Sequence, residues 1–175
     1  NKKYNSTPVL TMLYATHPMK GMKDGLEALH KIKLNFPEIE ILLFGFVKPP
    51  HLNFETTFIL RPFKEQLRRI YARTDIFLCP SIQEGYHNPP REAMVAKCAV
   101  VATNVGCIPH CAIPGKTALI VEPGDVSGMV ENITWLIENP KKIKTMGDVA
   151  YKHMKNFNWG NSVVELETIL GIQTQ

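Results

Sequence analysis

The chain has no apolar run long enough to cross a membrane. Its longest uncharged stretch, residues 98–115, carries Asn104, Gly106, Pro109, Pro114 and Gly115, which break any spanning helix. No G-x-G-x-x-G follows the first apolar run, so the dinucleotide-binding fingerprint is absent. No acidic cluster presents the phosphorylatable aspartate of a receiver domain. Charge of one sign is not concentrated either. The 20 Lys+Arg and 16 Asp+Glu leave a net charge of +4, scattered along the chain. Nucleic-acid binders usually gather a basic stripe, so no nucleic-acid partner is expected. Cysteine is scarce, with four in 175 residues, too few for a disulfide scaffold. Cys79 and Cys98 lie in apolar runs and read as buried thiols. Cys107, His110 and Cys111 form the candidate metal cluster, but the spacing is not that of a zinc finger and no second cluster follows. Reduced thiols are the plainer reading. The first eight residues hold neither an initiator Met nor a signal-type apolar stretch, and a chain excised from something longer is expected.

What remains is ordinary globular material. Hydrophobic residues make up 45% and charged residues 21%, enough to build one core without help. Residues 1–7 read as a linker or tail and residues 8–175 as a single domain. Apolar runs at 9–15, 39–45, 58–60, 75–80, 99–103 and 118–121 read as six strands. Leu26, Leu29, Ile32 and Phe36 recur at helical spacing and stop at Pro37. Residues 64–74 form a helix with Leu67, Ile70 and Tyr71 inward, and residues 89–97 form another. Helices then dominate, at 126–138, 140–156 and 159–170, with Trp135 and Trp159 as packing anchors. Strands alternate with helices and no tight hairpin joins consecutive strands. The expected fold is α/β: a Rossmann-like, parallel, six-stranded sheet with helices on both faces and a helical C-terminal tail. In such sheets ligands bind beyond the carboxyl ends of the strands. Two loops fall there, residues 16–21 and 81–88.

The richest segment is P-S-I-Q-E-G-Y-H-N-P-P-R-E-A-M, residues 80–94. Asn88 suits an N-cap and Pro89 the first helical position. The free amides and positive dipole end of that helix make an anion site. Gly85 allows close backbone approach. Glu84 and Glu92 flank the helix start, which is awkward beside a phosphate unless each accepts hydrogen bonds from hydroxyls of the same ligand. A nucleotide sugar carries such hydroxyls on both ribose and sugar. The alternative is a capped surface helix with two solvated glutamates.

This segment resembles the "Glu, seven residues, Glu" motif of retaining glycosyltransferases with the GT-B fold, above all glycosyltransferase family four, which reads close to P-S-x-x-E-G-F-G-x-x-x-x-E-A-M. The lead-in Y-A-R-T-D-I-F-L-C (71–79), V-V-A-T-N-V-G (100–106), G-K-T-A-L-I-V-E-P-G-D (115–125), M-G (146–147), F-N-W (157–159) and Lys20-Gly21 are similar to the family's successive segments. The resemblance covers about residues 8–172, the nucleotide-sugar-binding C-terminal domain. It implies that Glu92 binds ribose hydroxyls and that Glu84 contacts hydroxyls of the transferred sugar. The amides of Gly85, Tyr86, His87 and Asn88 would face sugar and diphosphate, and Lys20 would stabilise the leaving diphosphate. Arg61 would lie at the edge of the nucleobase pocket, or else be a surface charge. No Asp-x-Asp occurs, in keeping with transfer that needs no metal and no cofactor beyond the nucleotide-sugar donor. The implied partners are an N-terminal acceptor-binding domain and a glycan or lipid-linked acceptor. The implied setting is the cytoplasm, with that domain as a route to the membrane periphery. The chain also departs from the family. Ala15 stands where an Arg is usual, leaving His17 as the nearby substitute. His87 replaces the motif's second Gly and either contacts the sugar or points to solvent. Lys97 replaces the Gly that ends the motif helix, so a rebuilt cap is expected. Cys107 and His110 replace a Gly and a Glu.

Overall fold

The computed structural model describes residues 2–171. Six strands form one sheet: β1 Val9–Tyr14, β2 Glu40–Gly45, β3 Thr57–Leu60, β4 Ile76–Cys79, β5 Ala99–Thr103 and β6 Leu119–Val121. All pairings are parallel, in the order β3-β2-β1-β4-β5-β6. The helices are α1 Met22–Asn35, α2 Lys64–Arg73, α3 Asn88–Val95, α4 Ile108–Cys111, α5 Val126–Glu138, α6 Pro140–Met154 and α7 Trp159–Ile169. The expected Rossmann-like α/β sheet is therefore present, with each expected strand in place. The additions are α4 and a 3-10 turn at Pro18–Lys20, both too short to leave a periodic signature.

Strand side chains alternate between two cores, as the two-residue period of a strand demands. Leu10, Met12, Ile41, Leu43, Ile76, Leu78 and Val101 pack with Ala28, Leu29 and Ile32 of α1 and Met129, Ile133 and Leu136 of α5. Val9, Leu42, Phe44, Phe77, Val100 and Ala102 pack with Ile70 and Tyr71 of α2, Ala93 and Met94 of α3, and Ala150 and Met154 of α6. Phe77, fully buried at the centre of the second face, is worth about 3–5 kcal/mol against Ala.

Three local expectations are corrected. The cap of α3 is His87, in a left-handed conformation (φ 54°, ψ 63°), and Asn88 is the first helical residue. The His87 ring turns inward instead of bonding the helix amides. The end of α3 is not rebuilt: Lys97 takes the left-handed position itself (φ 60°). Cys98 N bonds Ala93 O at 2.9 Å and Lys97 N bonds Met94 O at 3.0 Å, the pair that closes a Schellman cap. Trp159 is no packing anchor, being 88% exposed at the start of α7, a helix with no buried residue.

Residues 2–5, within the segment expected as a linker, are tied to the domain. Lys2 Nζ donates to the carbonyls of Tyr71, Thr74 and Ala96, at the C-terminal ends of α2 and α3. Tyr4 Oη donates to Lys97 O (3.1 Å), and Asn5 Nδ2 to Asp75 Oδ2 (2.7 Å).

Candidate functional site

The strand order reverses between β1 and β4, and a crevice beyond the carboxyl ends of two such strands is where parallel sheets bind ligands. The loop after β1 carries Lys20 and the loop after β4 carries Glu84. Backbone contacts lock the two loops together. The amides of Ile82 and Gln83 both donate to Met19 O, at 2.7 and 3.3 Å. Gly21 has φ 62°, and a Cβ there would collide with the Pro80 carbonyl oxygen, so only glycine lets the turn close on β4. His17 Nδ1 accepts from Met19 N and caps that turn from an exposed position. Ala15 donates its amide to Met22 Sδ at 3.4 Å.

This clamp produces the centre of the site. Lys20 Nζ donates to Glu84 Oε1 at 2.6 Å, and Ser81 Oγ donates to the same oxygen at 2.7 Å. Among the described residues Oε2 has no such donor. Burial raises the Glu84 carboxyl, but the hydrogen bonds from Lys20 and Ser81 outweigh it and hold the group below its ordinary value. Beneath Glu84 lies His87, 4% exposed, neither at the surface nor facing solvent. Its Nε2 is 2.9 Å from Cys79 Sγ and 3.6 Å from Glu84 Oε1. Burial keeps the imidazole below the ordinary histidine value against the pull of Glu84.

The donors of the loop are free. Among the described residues, no acceptor takes the amide protons of Gly85, Tyr86 or His87. Asn88, the first residue of α3, has no partner within its helix. Pro89 and Pro90 follow without N–H groups, so the free amide donors here come from the loop more than from the helix. A Cβ at Gly85 would meet open space. Tyr86 is exposed, with the Arg91 guanidinium 4.1 Å from its ring centroid. A small cavity of about 350 Å³ lies alongside, bounded by Gly85, Tyr86, Gly106, Cys107 and His110. Cys107 and Cys111 are free thiols with sulfurs 3.5 Å apart. No three potential metal ligands cluster among the described residues.

Glu92 occupies a second place. Tyr71 Oη donates to its Oε2 at 2.8 Å, and burial, then Glu92, raise the tyrosine hydroxyl so that it keeps its proton. Both residues line a groove of about 1110 Å³ over α3, with Lys64 and Leu67 of α2, Asn88, and Met154 of α6. Lys20 and Glu84 do not line it; Asn88 connects it to the 85–88 loop. Arg61 stands apart, exposed at φ 47°, with Nε donating to Phe46 O at 3.3 Å. The sequence reading missed Ser81 and the pairing of Tyr71 with Glu92. Ser81 lies three residues before Glu84, and Tyr71 was expected to be inward, so only the contacts themselves were hidden.

A doubly wound parallel sheet with Lys20 and Glu84 meeting at its switch point is a Rossmann-like α/β domain. Residues 7–139 match the family described as "Glycosyl transferases group 1", and the chain belongs to it. It is 29% identical over 168 residues to the trehalose synthase of Thermococcus litoralis, a match covering 85% of this chain and 40% of that protein. The fold matches sucrose-phosphate synthase from Thermosynechococcus elongatus with TM-score 0.80 at 21% identity, over 94% of this chain and 45% of that one. It also matches the C-terminal domain of a group 1 family glycosyl transferase from Francisella tularensis (TM-score 0.74, 21% identity, 87% and 86% of the two chains). The domain thus has the Rossmann-like architecture of GT-B glycosyltransferases, and spans 40% of the length of the trehalose synthase it matches.

Proposed function

We propose that this chain is the donor domain of a retaining glycosyltransferase, binding a nucleotide-diphosphate sugar for transfer to a glycan or lipid-linked acceptor. The observation that carries the reading is the Lys20–Glu84 contact beside four amides that have no acceptor among the described residues. Glu84 spends Oε1 on Lys20 and Ser81 and leaves Oε2 for a sugar hydroxyl. The amides of Gly85, Tyr86, His87 and Asn88 and the Lys20 ammonium supply positive potential where the diphosphate gathers charge. In the step, the bond from the anomeric carbon to the diphosphate oxygen breaks and its electron pair leaves with the nucleotide diphosphate. The acceptor oxygen bonds the same carbon from the same face, and its proton passes to the leaving oxygen. No metal enters this scheme. Glu92, held by Tyr71, takes the ribose hydroxyls. Arg61 belongs to the base-side rim only if it leaves the Phe46 carbonyl.

The acceptor-binding half is assigned to a separate N-terminal domain in the cytoplasm. The exposed Trp159, Val164 and Ile169 on α7 support a covering partner there. No helix of the described residues is long and apolar enough to cross a membrane. One observation favours a second reading, a non-catalytic nucleotide-sugar-binding module: Ala15 leaves Lys20 as the sole side-chain cation at the Glu84 carboxylate among the described residues.

Titration calorimetry with UDP-glucose and GDP-mannose tests the donor reading. One of them is expected to bind, and Glu92→Ala to weaken it at least about tenfold, the loss of a charged hydrogen-bond acceptor. Failure of every nucleotide sugar to bind, or binding indifferent to Glu92→Ala, overturns it. The chain alone is expected to transfer almost nothing, and efficient turnover would overturn the two-domain part. Binding without transfer after the two domains are joined would favour the second reading.

A further inference from the structure

The donor reading leaves the buried ring of His87 without a task. A residue with φ 54° sits in the left-handed region, which is costly to most side chains, and this one also buries a titratable side chain. Nε2 lies 2.9 Å from Cys79 Sγ and 3.6 Å from Glu84 Oε1, and Nδ1 is buried, with the Val105 backbone beside the ring. Glu84 Oε1 is therefore shared by three groups: Lys20 Nζ (2.6 Å), Ser81 Oγ (2.7 Å) and, farther off, the more deeply buried imidazole edge (3.6 Å). Cys79, at the end of β4, keeps its proton because burial pushes the thiol up to about 12. It can donate S–H to a neutral Nε2 but offers no anion. The loop after β5 brings the Val105 backbone and Cys107 Sγ, 3.8 Å from His87 O, and no charge. Among the described residues, the charged groups that face the ring are Glu84 and Lys20.

We propose that His87 is a positioning residue of this site: protonated on Nε2, it becomes the cation that holds Glu84 from below and releases Lys20 to the diphosphate of the donor. The inference rests on the donor-site reading above. With a neutral ring, Lys20 is the sole full charge on the carboxylate among the described residues, and an incoming diphosphate must compete with Glu84 for it. With a protonated ring, Glu84 is neutralised from inside, and the half-exposed Lys20 ammonium turns to the ligand at little electrostatic cost. Proton uptake and anion binding therefore assist each other. Affinity rises as pH falls through the range where the ring titrates, which burial places on the acid side of the ordinary histidine value.

Two measurements test this on the full chain. Calorimetry with UDP-glucose and GDP-mannose, whose diphosphate diesters keep constant charge, is run from about pH 7.5 to about pH 5 at fixed ionic strength. Affinity is expected to rise about threefold or more in the native chain. In His87→Asn, which tolerates the left-handed backbone, that slope is expected to vanish. Equal slopes in the two proteins overturn the proposal. Separately, NMR follows the His87 imidazole without ligand. Lys20→Ala removes the competing cation and is expected to raise its titration midpoint, and an unmoved midpoint overturns the shared carboxylate. Absence of binding at every pH overturns the donor reading and the release of Lys20 with it. Binding with no His87-dependent slope overturns this inference alone.

Discussion

Lys20 and Glu84 lie 64 positions apart in sequence and touch at 2.6 Å. The contact follows from topology. β1 and β4 are neighbours in the sheet, so the loops leaving their carboxyl ends meet over one crevice. Gly21 lets the first loop close against Pro80, and Met19 O takes two amides of the second. The pair is thus held by backbone on both sides. That lowers the side-chain entropy that makes most surface ion pairs weak.

The acid limb of stability reports this pair. The folded-state value of Glu84 is depressed, so its contribution is fully present above the unfolded carboxyl value. It is lost as pH falls from there through the folded value. Glu84→Gln is expected to lower stability at pH 7 by about 1 kcal/mol, discounted for the partial exposure of Lys20. The deficit should begin to close as pH falls past the ordinary carboxyl value of about 4.3 and be gone below the lower folded value. His87, also depressed, adds an acid loss of the same sign that begins nearer the ordinary histidine value. The comparison is therefore variant against native at each pH, by urea unfolding. A deficit that stays constant to pH 3 would show that the lost stability is not electrostatic.

The fold was legible because its signals were repeated. Six apolar runs alternating with amphipathic helices leave one architecture, and the loops at residues 16–21 and 81–88 meet as that architecture requires. Contacts formed by single side chains across the sheet were not legible. N-P at residues 88–89 is a strong cap signal, yet His87 occupies the cap. Its ring makes no hydrogen bond to the helix amides and lies instead beside Cys79 and Glu84. Lys97 was expected to force a new turn, but the Schellman hydrogen bonds and the close packing of Gly147 on the Lys97 carbonyl hold the left-handed residue in place. Residues 2–5 carry no periodicity, and their anchoring depends on two helix ends that only the folded chain brings together.

Replacing that strained residue should stabilise the domain. A non-glycine residue in the left-handed cap costs about 1 kcal/mol. Against this, Lys97 Nζ pairs with Asp148 at 2.8 Å and lies 5.0 Å from the Tyr151 ring, contacts near the surface and worth only tenths of a kcal/mol. Lys97→Gly is expected to raise the melting temperature by about 2 °C. Lys97→Ala should lower it, because it loses the contacts and keeps the strain.

Lys2 is the opposite case, a terminal residue whose charge matters. Its ammonium sits on carbonyls of Tyr71, Thr74 and Ala96, where two helix dipoles end with their negative poles. Lys2→Met keeps the stem and removes the charge. It is expected to cost about 1–2 kcal/mol, read as a fall of about 3–6 °C in melting temperature. The loss should shrink at high salt as the dipole interaction is screened. A salt-independent loss would assign the effect to packing of the stem instead.

Tyr71 and Glu92 separate positioning from binding. The hydroxyl donates to Glu92 Oε2 at 2.8 Å, which fixes one carboxylate oxygen; the other takes the ligand hydroxyl in the donor reading proposed above. The ring, in edge-on contact with Phe44 and tilted against Phe77, is core, so Tyr71→Phe keeps the packing and removes one hydrogen bond. Stability should fall by no more than about 1.5 kcal/mol. Nucleotide-sugar affinity should fall about threefold to tenfold, since the carboxylate must now be ordered when the ligand binds. Measured in the Glu92→Ala background, the same substitution should leave affinity unchanged, because the hydroxyl acts only through the carboxylate. A further loss in that background would mean that Tyr71 meets the ligand directly through its own hydroxyl.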